Sequence, residues 1–456
     1  MDKLFKALGA HATAHVLLHT ALLTPPTVLS HAKLAGAFLP LIWSCHIYTW
    51  SFGLGYIASV HALWATELLL FRNPRKDFAL LHFGNPPPPP APPVAVVEEE
   101  KKDDSEEEIV DVTSASISTD RSYIKNPSPT TNGSHQLAWT EPYPSSWYKR
   151  FIWVSKLVIS FRYISWATSS NQTVLYSSQP PPPSSKSRTT FVIQKHLLIA
   201  FCIGIMDVTN LYQYFDPYMQ IETSIDEAFP RRLGGFFAKY HLDFLSPRFV
   251  RIIVLGLQQY SVFTLIGAIP AALFVSLGGV GLVDDFWGRV ENWPSVMGSP
   301  LAISQRGLRG FWGGFWHQLF RNLLTGPGKA VCRALDLPER STTKYAIQVT
   351  VAFTISSALH SATLPRNIPN VSAMRYASFF WMNGACVLYE IILVRAAALL
   401  DLNGPRPLWA SIGLAFLRVV WVGTVLYHTV PVIEDELTRV SRIFGLRPVL
   451  FLALPE

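Results

Sequence analysis

Apolar runs close to 20 residues long recur along this chain of 456 residues, and no other feature restricts its fold as much. A hydrocarbon core about 30 Å thick is crossed by roughly 20 helical residues. Inside it every backbone polar group must be satisfied by the chain itself, so a spanning segment is a helix or part of a closed barrel. The runs lie near 33–49, 51–71, 190–209, 249–276, 346–364, 376–400 and 408–428, with weaker ones near 7–23 and 150–166. They predict an all-α, multi-pass transmembrane helical bundle of about seven to nine helices. A chain of this length would otherwise suggest two or three soluble domains. With 49% hydrophobic and only 15% charged residues, that alternative fails.

The N-terminus does not read as a cleaved secretory signal. Its n-region is weakly basic, and its first apolar stretch is interrupted by His11, His15 and His19. The cysteines Cys45, Cys202, Cys332 and Cys386 are widely spaced, and three lie in or beside apolar runs. They read as packing residues rather than a disulfide framework or metal knuckle. The net charge is +7, and its placement matters more than its sum. Arg72, Arg75 and Lys76 follow an apolar run, as cytosolic loops do. So do Arg306, Arg309, Arg321, Lys329, Arg333, Arg340 and Lys344, which surround an aromatic segment. Because this charge follows membrane flanks rather than one continuous face, nucleic acid is not an expected partner.

Residues 85–146 break the apolar pattern and separate an N-terminal membrane region, 1–84, from a longer one, 147–456. Pro86 to Pro90 is unbroken proline, an acidic and lysine run spans 98–108, and serine, threonine and asparagine follow. Such a composition buries too little apolar area to offset chain entropy, so a disordered insert is expected. A shorter break at 169–188 carries Pro180 to Pro183. Residues 210–247 mix aromatics with charges and suit the membrane interface. The stretch 284–344 is long for a membrane loop and too rich in tryptophan for free solvent. A re-entrant or interfacial path is expected, tolerated at membrane depth only where it lines a cavity or is buried in protein.

Two histidines stand out as site candidates. His360 lies in the uncharged run Val349 to Leu364. There it must find a hydrogen-bond partner or face a cavity. Either it is a general base for an alcohol, or it packs against Ser357, Ser361 or a backbone carbonyl. His317 follows Phe311, Trp312, Phe315 and Trp316 and stands four residues before Arg321, which makes the two neighbours if the segment is helical. A guanidinium there could hold a phosphate while the imidazole meets a reacting group. The rival reading is an interfacial anchor with Arg321 snorkelling. Gly310, Gly313 and Gly314 admit close approach of a ligand or of another helix.

Other patterns carry less. His11, His15 and His19 share one helical face, a spacing that suits a metal. No second closely spaced histidine cluster accompanies them, so a polar stripe is the expected reading and no metal is assigned. Asp284 and Asp285 lack a third carboxylate at a helical step and read as a loop or cap. Glu390 and Arg418 are costly within apolar runs unless they pair, with each other for instance, or face a cavity. No nucleophile elbow, Walker loop or dinucleotide fingerprint is present, which argues against a serine hydrolase, ATPase or dehydrogenase.

Trp293-Pro294, Gly298-Ser299-Pro300, Leu308-Arg309-Gly310-Phe311-Trp312-Gly313 and Trp316-His317-Gln318-Leu319-Phe320-Arg321 occur in that order. Together they resemble the wax synthase-like branch of the membrane-bound O-acyltransferases. Ser356-Ser357-Ala358-Leu359-His360-Ser361 is similar to that family's histidine-bearing helix. The resemblance covers about 290–365, the expected catalytic region. Two positions depart from the wider family: Gly314 stands where a basic residue is frequent, and His317 where asparagine is common. Histidine at that place is typical of the fungal group that acetylates terpenoid alcohols.

The resemblance implies acyl transfer from acyl-coenzyme A, acetyl-coenzyme A foremost, to a hydroxyl of a hydrophobic secondary metabolite of terpenoid or meroterpenoid type. It implies His360 and His317 as catalytic residues. Arg309, Trp312, Trp316, Arg321 and Lys329 would contact the donor. Acyl-coenzyme A would be a co-substrate, with no tightly bound cofactor and no metal. The expected setting is the endoplasmic reticulum membrane, with the lipid bilayer and a hydrophobic alcohol as partners. Three rivals remain at this stage: a wax synthase using long-chain donors, a polytopic transporter or lipid-binding protein, and a di-iron oxygenase built on the N-terminal histidines.

Overall fold

The computed structural model describes residues 2–50, 55–83, 138–168, 187–216, 218, 224–339, 341–364, 371–400 and 407–443. It opens with α1 (Asp2–Leu23), α2 (His31–Trp50) and α3 (Gly55–Thr66), the last continued by a π-helical turn, Glu67–Phe71. A single turn, α4 (Pro74–Asp77), starts on Pro74, whose missing N–H is no loss at that position. Then come β1 (Phe78–Phe83), β2 (Ala138–Pro142), α5 (Trp147–Val158) and β3 (Trp166–Thr168). The strands form one small antiparallel sheet in the order β2-β1-β3, with Leu81 opposite Thr140 and Ala79 opposite Ala167. β2 falls inside the stretch expected to be disordered, so residues 138–142 correct that reading at its C-terminal end. Residues 84–137 lie outside the described residues.

Helices and sheet share one core in this first part. Trp64, Leu68 and Leu69 meet Phe78, Leu80, Trp153, Leu157 and Trp166 there. Trp64 also donates its indole N–H to the Val158 carbonyl at 2.8 Å, satisfying the polar end of a buried tryptophan. The weak apolar run near 150–166 is thus no membrane span. It gives the short amphipathic α5, whose buried side faces this core.

The second part holds the long helices: α6 (Arg188–Phe215), α7 (Arg231–Lys239), α8 (Pro247–Gly279), α9 (Asp285–Gly288), α10 (Leu301–Gly310), α11 (Arg321–Ala334), α12 (Thr342–Ser361), α13 (Ala373–Leu399) and α14 (Leu408–Ile443). Among the described residues four of them, α6, α8, α13 and α14, are long and apolar enough to cross a membrane. Their outer faces are greasy: Leu197, Phe201, Leu273, Ile412 and Phe416 are all more than half exposed. Polar residues turn inward instead. On the α6–α8 seam, Gln213 donates to Gln258 at 3.0 Å and Gln258 to Asn210 at 2.8 Å. Arg251 grips both oxygens of Asp216 at 2.7 and 2.9 Å, with both side chains buried. Polar side chains between apolar helices tie them together where lipid gives no hydrophobic drive.

α10 to α12 form a layer that reaches the last pair. α10 packs on α14, α11 on α12, and α12 on α13. The first part touches this layer through α3 against both α11 and α12, and through the π-turn after α3 against α11.

Candidate active site

The aromatic segment is shaped by close backbone approaches that only glycine permits. Inside α10 the chain kinks at Gly307, where φ is +60°. A Cβ there would lie 2.8 Å from the Glu390 carboxylate. Glu390 crosses from α13 to accept the Leu308 amide at 2.7 Å, and its other oxygen lies 3.5 Å from Arg309. The intramembrane acid of the sequence reading is therefore spent on the kink. Arg418 donates to the Ser304 carbonyl of the same helix at 3.3 Å.

After the kink Phe311–Phe315 form a single π-helical turn. The chain then leaves the helix, because Gly298 donates to the Phe315 carbonyl and Gln318 to the Val296 carbonyl, at 2.8 and 2.7 Å. These bonds hold Trp316 to Gln318 against 296–298, and α11 starts only at Arg321. His317 and Arg321 are thus not neighbours on one helical face, which corrects the expectation drawn from their spacing. The Trp-Pro-…-Gly-Ser-Pro phrase has a physical role here: its Gly298 lets Gly314 pass where a Cβ would meet the Gly314 carbonyl at 1.8 Å. Gly314 itself has no room for a side chain, since a Cβ would lie 2.5 Å from the Arg306 guanidinium.

His317 projects into an aromatic cage. Its ring stacks on Phe263 of α8 at 4.3 Å and meets Phe320 edge-on at 6.0 Å. Its Nδ1 is buried with no hydrogen-bond partner. Burial holds its pKa down at about 4, so the ring is neutral at pH 7. His360, on the last turn of α12, stacks on Phe380 of α13 at 4.5 Å, with Tyr56 of α3 at 5.6 Å. Tyr56 also meets Phe320 at 6.2 Å, so a run of two rings, Phe320 and Tyr56, links the two histidines. The two imidazoles are near enough to act on each other electrostatically. No hydrogen bond from the His360 ring to Ser357, Ser361 or a backbone carbonyl is formed among the described residues. Ser361 donates instead to the Ala373 carbonyl at 3.2 Å.

A cationic cavity of about 750 Å³ opens beside this layer. Arg72, Arg309, Lys329, Arg333, Lys344 and Arg395 line it, with Tyr345, Gln348 and the single acid Glu339. The two basic clusters of the sequence meet here. Arg72 arrives because Glu67 lies against Gly326 of α11, where a Cβ would come within 2.2 Å of the carboxylate. Of the expected donor contacts, Arg309 and Lys329 line this cavity. Arg321 does not line it, but lies close enough to crowd Lys329 electrostatically together with Arg72 and Arg333. Trp312 points into the core and donates to Asn383 at 3.2 Å. Trp316 stacks on Phe311 at 5.6 Å, and neither indole lines the cavity. Tyr56 and Arg395 carried no motif, so sequence reasoning missed them, and Arg72 was read there only as a loop charge. A smaller cavity of about 170 Å³ has Phe161, Ile266, Trp287, Trp293 and Leu319 in its wall, and Phe161 meets Phe320 at 6.0 Å.

Residues 293–382 match the membrane bound O-acyl transferase family. The chain is also similar to named fungal acetyltransferases. Acetyltransferase ataH of Aspergillus terreus is 41% identical over 73 residues, 16% of this chain and 23% of that protein. Acetyltransferase pyr8 of Aspergillus fumigatus is 34% identical over 128 residues, 27% of this chain and 29% of that protein. An acetyltransferase of Arthrobotrys oligospora is 26% identical over 228 residues, 48% of this chain and 42% of that protein. The chain thus spans less than half the length of each of these curated relatives. No solved structure matches it.

Proposed function

We propose that this protein is a membrane-embedded O-acyltransferase that moves an acetyl group from acetyl-coenzyme A to a hydroxyl of a hydrophobic secondary metabolite, terpenoid or meroterpenoid in class. The observation that carries the reading is two imidazoles within electrostatic reach of each other and linked by aromatic rings, in a layer that also borders a cationic cavity. Buried imidazoles without competing partners are free to handle a proton, and clustered guanidinium and ammonium groups bind phosphates.

In this reading a ring nitrogen of His360 takes the proton of the acceptor hydroxyl. The hydroxyl oxygen attacks the thioester carbonyl, and a new C–O bond forms. His317, through Nδ1–H in the tautomer that places the proton there, donates to the oxyanion that develops. The C–S bond then breaks, and the coenzyme A thiolate recovers the proton from His360. The products are an ester and free coenzyme A. No metal enters these steps.

The phosphates of the donor would lie among Arg309, Lys329, Arg72 and Arg333. Gln348 and His360 are twelve residues apart on α12, about 18 Å along a helix. A long flexible arm such as pantetheine spans that separation. The smaller apolar cavity offers room for part of a hydrophobic acceptor. The endoplasmic reticulum, with the cationic cavity open to the cytosol, is the setting that suits these basic flanks.

The test is an acyl-transfer assay on microsomes carrying wild type or His360→Ala, with labelled acetyl-coenzyme A and a panel of hydrophobic alcohols. A long-chain donor is run in parallel. Label in an ester, lost in the variant, supports the reading. Preference for the long-chain donor would make the protein a wax synthase instead. Ester formation undiminished in the variant would remove His360 from the chemistry.

A further inference from the structure

Four histidines at the N-terminal end take no part in acyl transfer. His11 and His15 stand one turn apart on α1, His46 lies near the end of α2, and His61 is in the middle of α3. The sequence offers no second cluster to join the first. The fold builds one from two histidines 15 residues apart on different helices. The His15 and His61 ring centroids are 3.8 Å apart, His11 and His15 4.7 Å, and His46 and His61 4.9 Å. His11 lies 5.4 Å from His46 and 5.7 Å from His61.

Two nitrogen pairs organise the group. His15 Nε2 is 3.2 Å from His11 Nε2, and His46 Nε2 is 2.8 Å from His61 Nδ1. Three further nitrogens, His11 Nδ1, His46 Nδ1 and His61 Nε2, are buried with no partner. His46 is 0% and His61 4% exposed. Each unsatisfied buried polar group costs roughly 1–3 kcal/mol. Apolar residues of similar size would fill the same space without that cost. Three such atoms in one cluster of rings show that packing alone does not account for histidine here, and the paired nitrogens beside them are the ones that could share a ligand.

We propose that His11, His15, His46 and His61 bind one divalent first-row transition-metal ion of the imidazole-preferring kind, Zn²⁺ or Cu²⁺, which clamps α1, α2 and α3 together. Neutral imidazole is the commonest side-chain ligand of such ions. In a tetrahedral site with metal–nitrogen bonds of about 2.0–2.1 Å, ligand nitrogens stand roughly 3.3–3.4 Å apart. One of the two nitrogen pairs is already close to that separation and the other is within about half an ångström of it. Among the described residues no group of three histidine, cysteine or acidic side chains is placed to hold a metal ion as the side chains stand. The site closes by rotation of the rings, which turns paired nitrogens away from each other and toward the ion.

The consequence reaches the catalytic layer. Gly55 of α3 packs so tightly on the Ala362 carbonyl that a Cβ would come within 1.9 Å of it, and Tyr56 borders His360. His61 is five residues further on, about 7.5 Å along the helix. The ion therefore holds one wall of the histidine cage and has a structural role. The proposal stands whether or not acetyl transfer is the reaction.

The full-length protein is purified in detergent, stripped with a chelator, exposed to Zn²⁺ or Co²⁺ and desalted. About one ion per chain is expected, with the intense visible bands of tetrahedral cobalt. The double variant His46→Asn, His61→Asn should retain at least tenfold less metal, and metal should raise the unfolding temperature of the wild type alone. His19→Asn, outside the ring cluster, should bind as the wild type does. Wild-type protein that keeps no stoichiometric metal, or a double variant that keeps as much as the wild type, overturns the proposal. If the double variant does not fold, the wild-type stoichiometry and cobalt spectrum decide alone.

Discussion

Both regions of this molecule that gather histidines among apolar side chains do so at a cost, and they meet it differently. In the N-terminal cluster four rings lie against each other, and two nitrogen-to-nitrogen contacts satisfy half of the group. In the candidate site each imidazole stacks on its own phenylalanine, His317 on Phe263 and His360 on Phe380. Rings that touch can share one ion. Rings separated by aromatic walls, within electrostatic reach, can receive a substrate between them. Low dielectric makes an unpaired polar group expensive in either place, so its persistence marks a ligand or a reaction.

That contrast can be broken by substitution. The largest effect is expected at His360. His360→Ala should lower turnover by about two to four orders of magnitude, the usual worth of a general base. The variant should elute from size exclusion as the wild type does. If it fails to fold, His360 belongs with the packing histidines and the contrast collapses. His317→Ala should cost about 10²–10³ in turnover, the scale of one lost oxyanion donor, with little change in donor KM. His317→Asn keeps a donor and should recover part of the loss. Equal rates for the Ala and Asn variants would remove the hydrogen-bonding role.

Smaller effects should separate the basic residues. Lys329→Ala, within the cationic cavity, should raise the donor KM about tenfold, as loss of one charge-assisted contact would. Arg321→Ala, outside the lining, should raise it only two- to threefold by weakening the field, an effect that salt screens. A larger effect for Arg321 than for Lys329 would move the donor site away from this cavity. The smallest effect concerns pH and stability. Burial lowers the His317 pKa to about 4 from an ordinary 6.5. The unfolded chain therefore binds the extra proton between those values, and stability falls as pH drops from about 6.5 toward 4. Above 6.5 the term is absent. His317→Asn should shallow that fall in a thermal-unfolding series, and an unchanged slope would mean that the ring is not held neutral by its surroundings.

Much of the fold was legible because one property, apolar length, reports directly on helices in a membrane. The runs at 190–209, 249–276, 376–400 and 408–428 became α6, α8, α13 and α14. Where length was marginal the reading slipped: the stretch 150–166 gave a short helix and a strand on a shared core. Spacing also misled at His317 and Arg321. Backbone bonds to Val296 and Gly298 hold that segment extended, and a helical periodicity cannot anticipate them.

The sequence by itself determined the helical membrane class, the order of the aromatic and histidine phrases, and the two basic clusters. These follow from local composition, which fixes what a segment can bury. Only the tertiary structure decided that Arg72 joins Arg309 and Lys329 around one cavity, that Tyr56 borders His360, and that His46 and His61 meet His11 and His15. Each of those meetings depends on how helices distant in sequence pack, through glycines at Gly55, Gly298 and Gly326 that let backbone or carboxylate approach where any side chain would intervene.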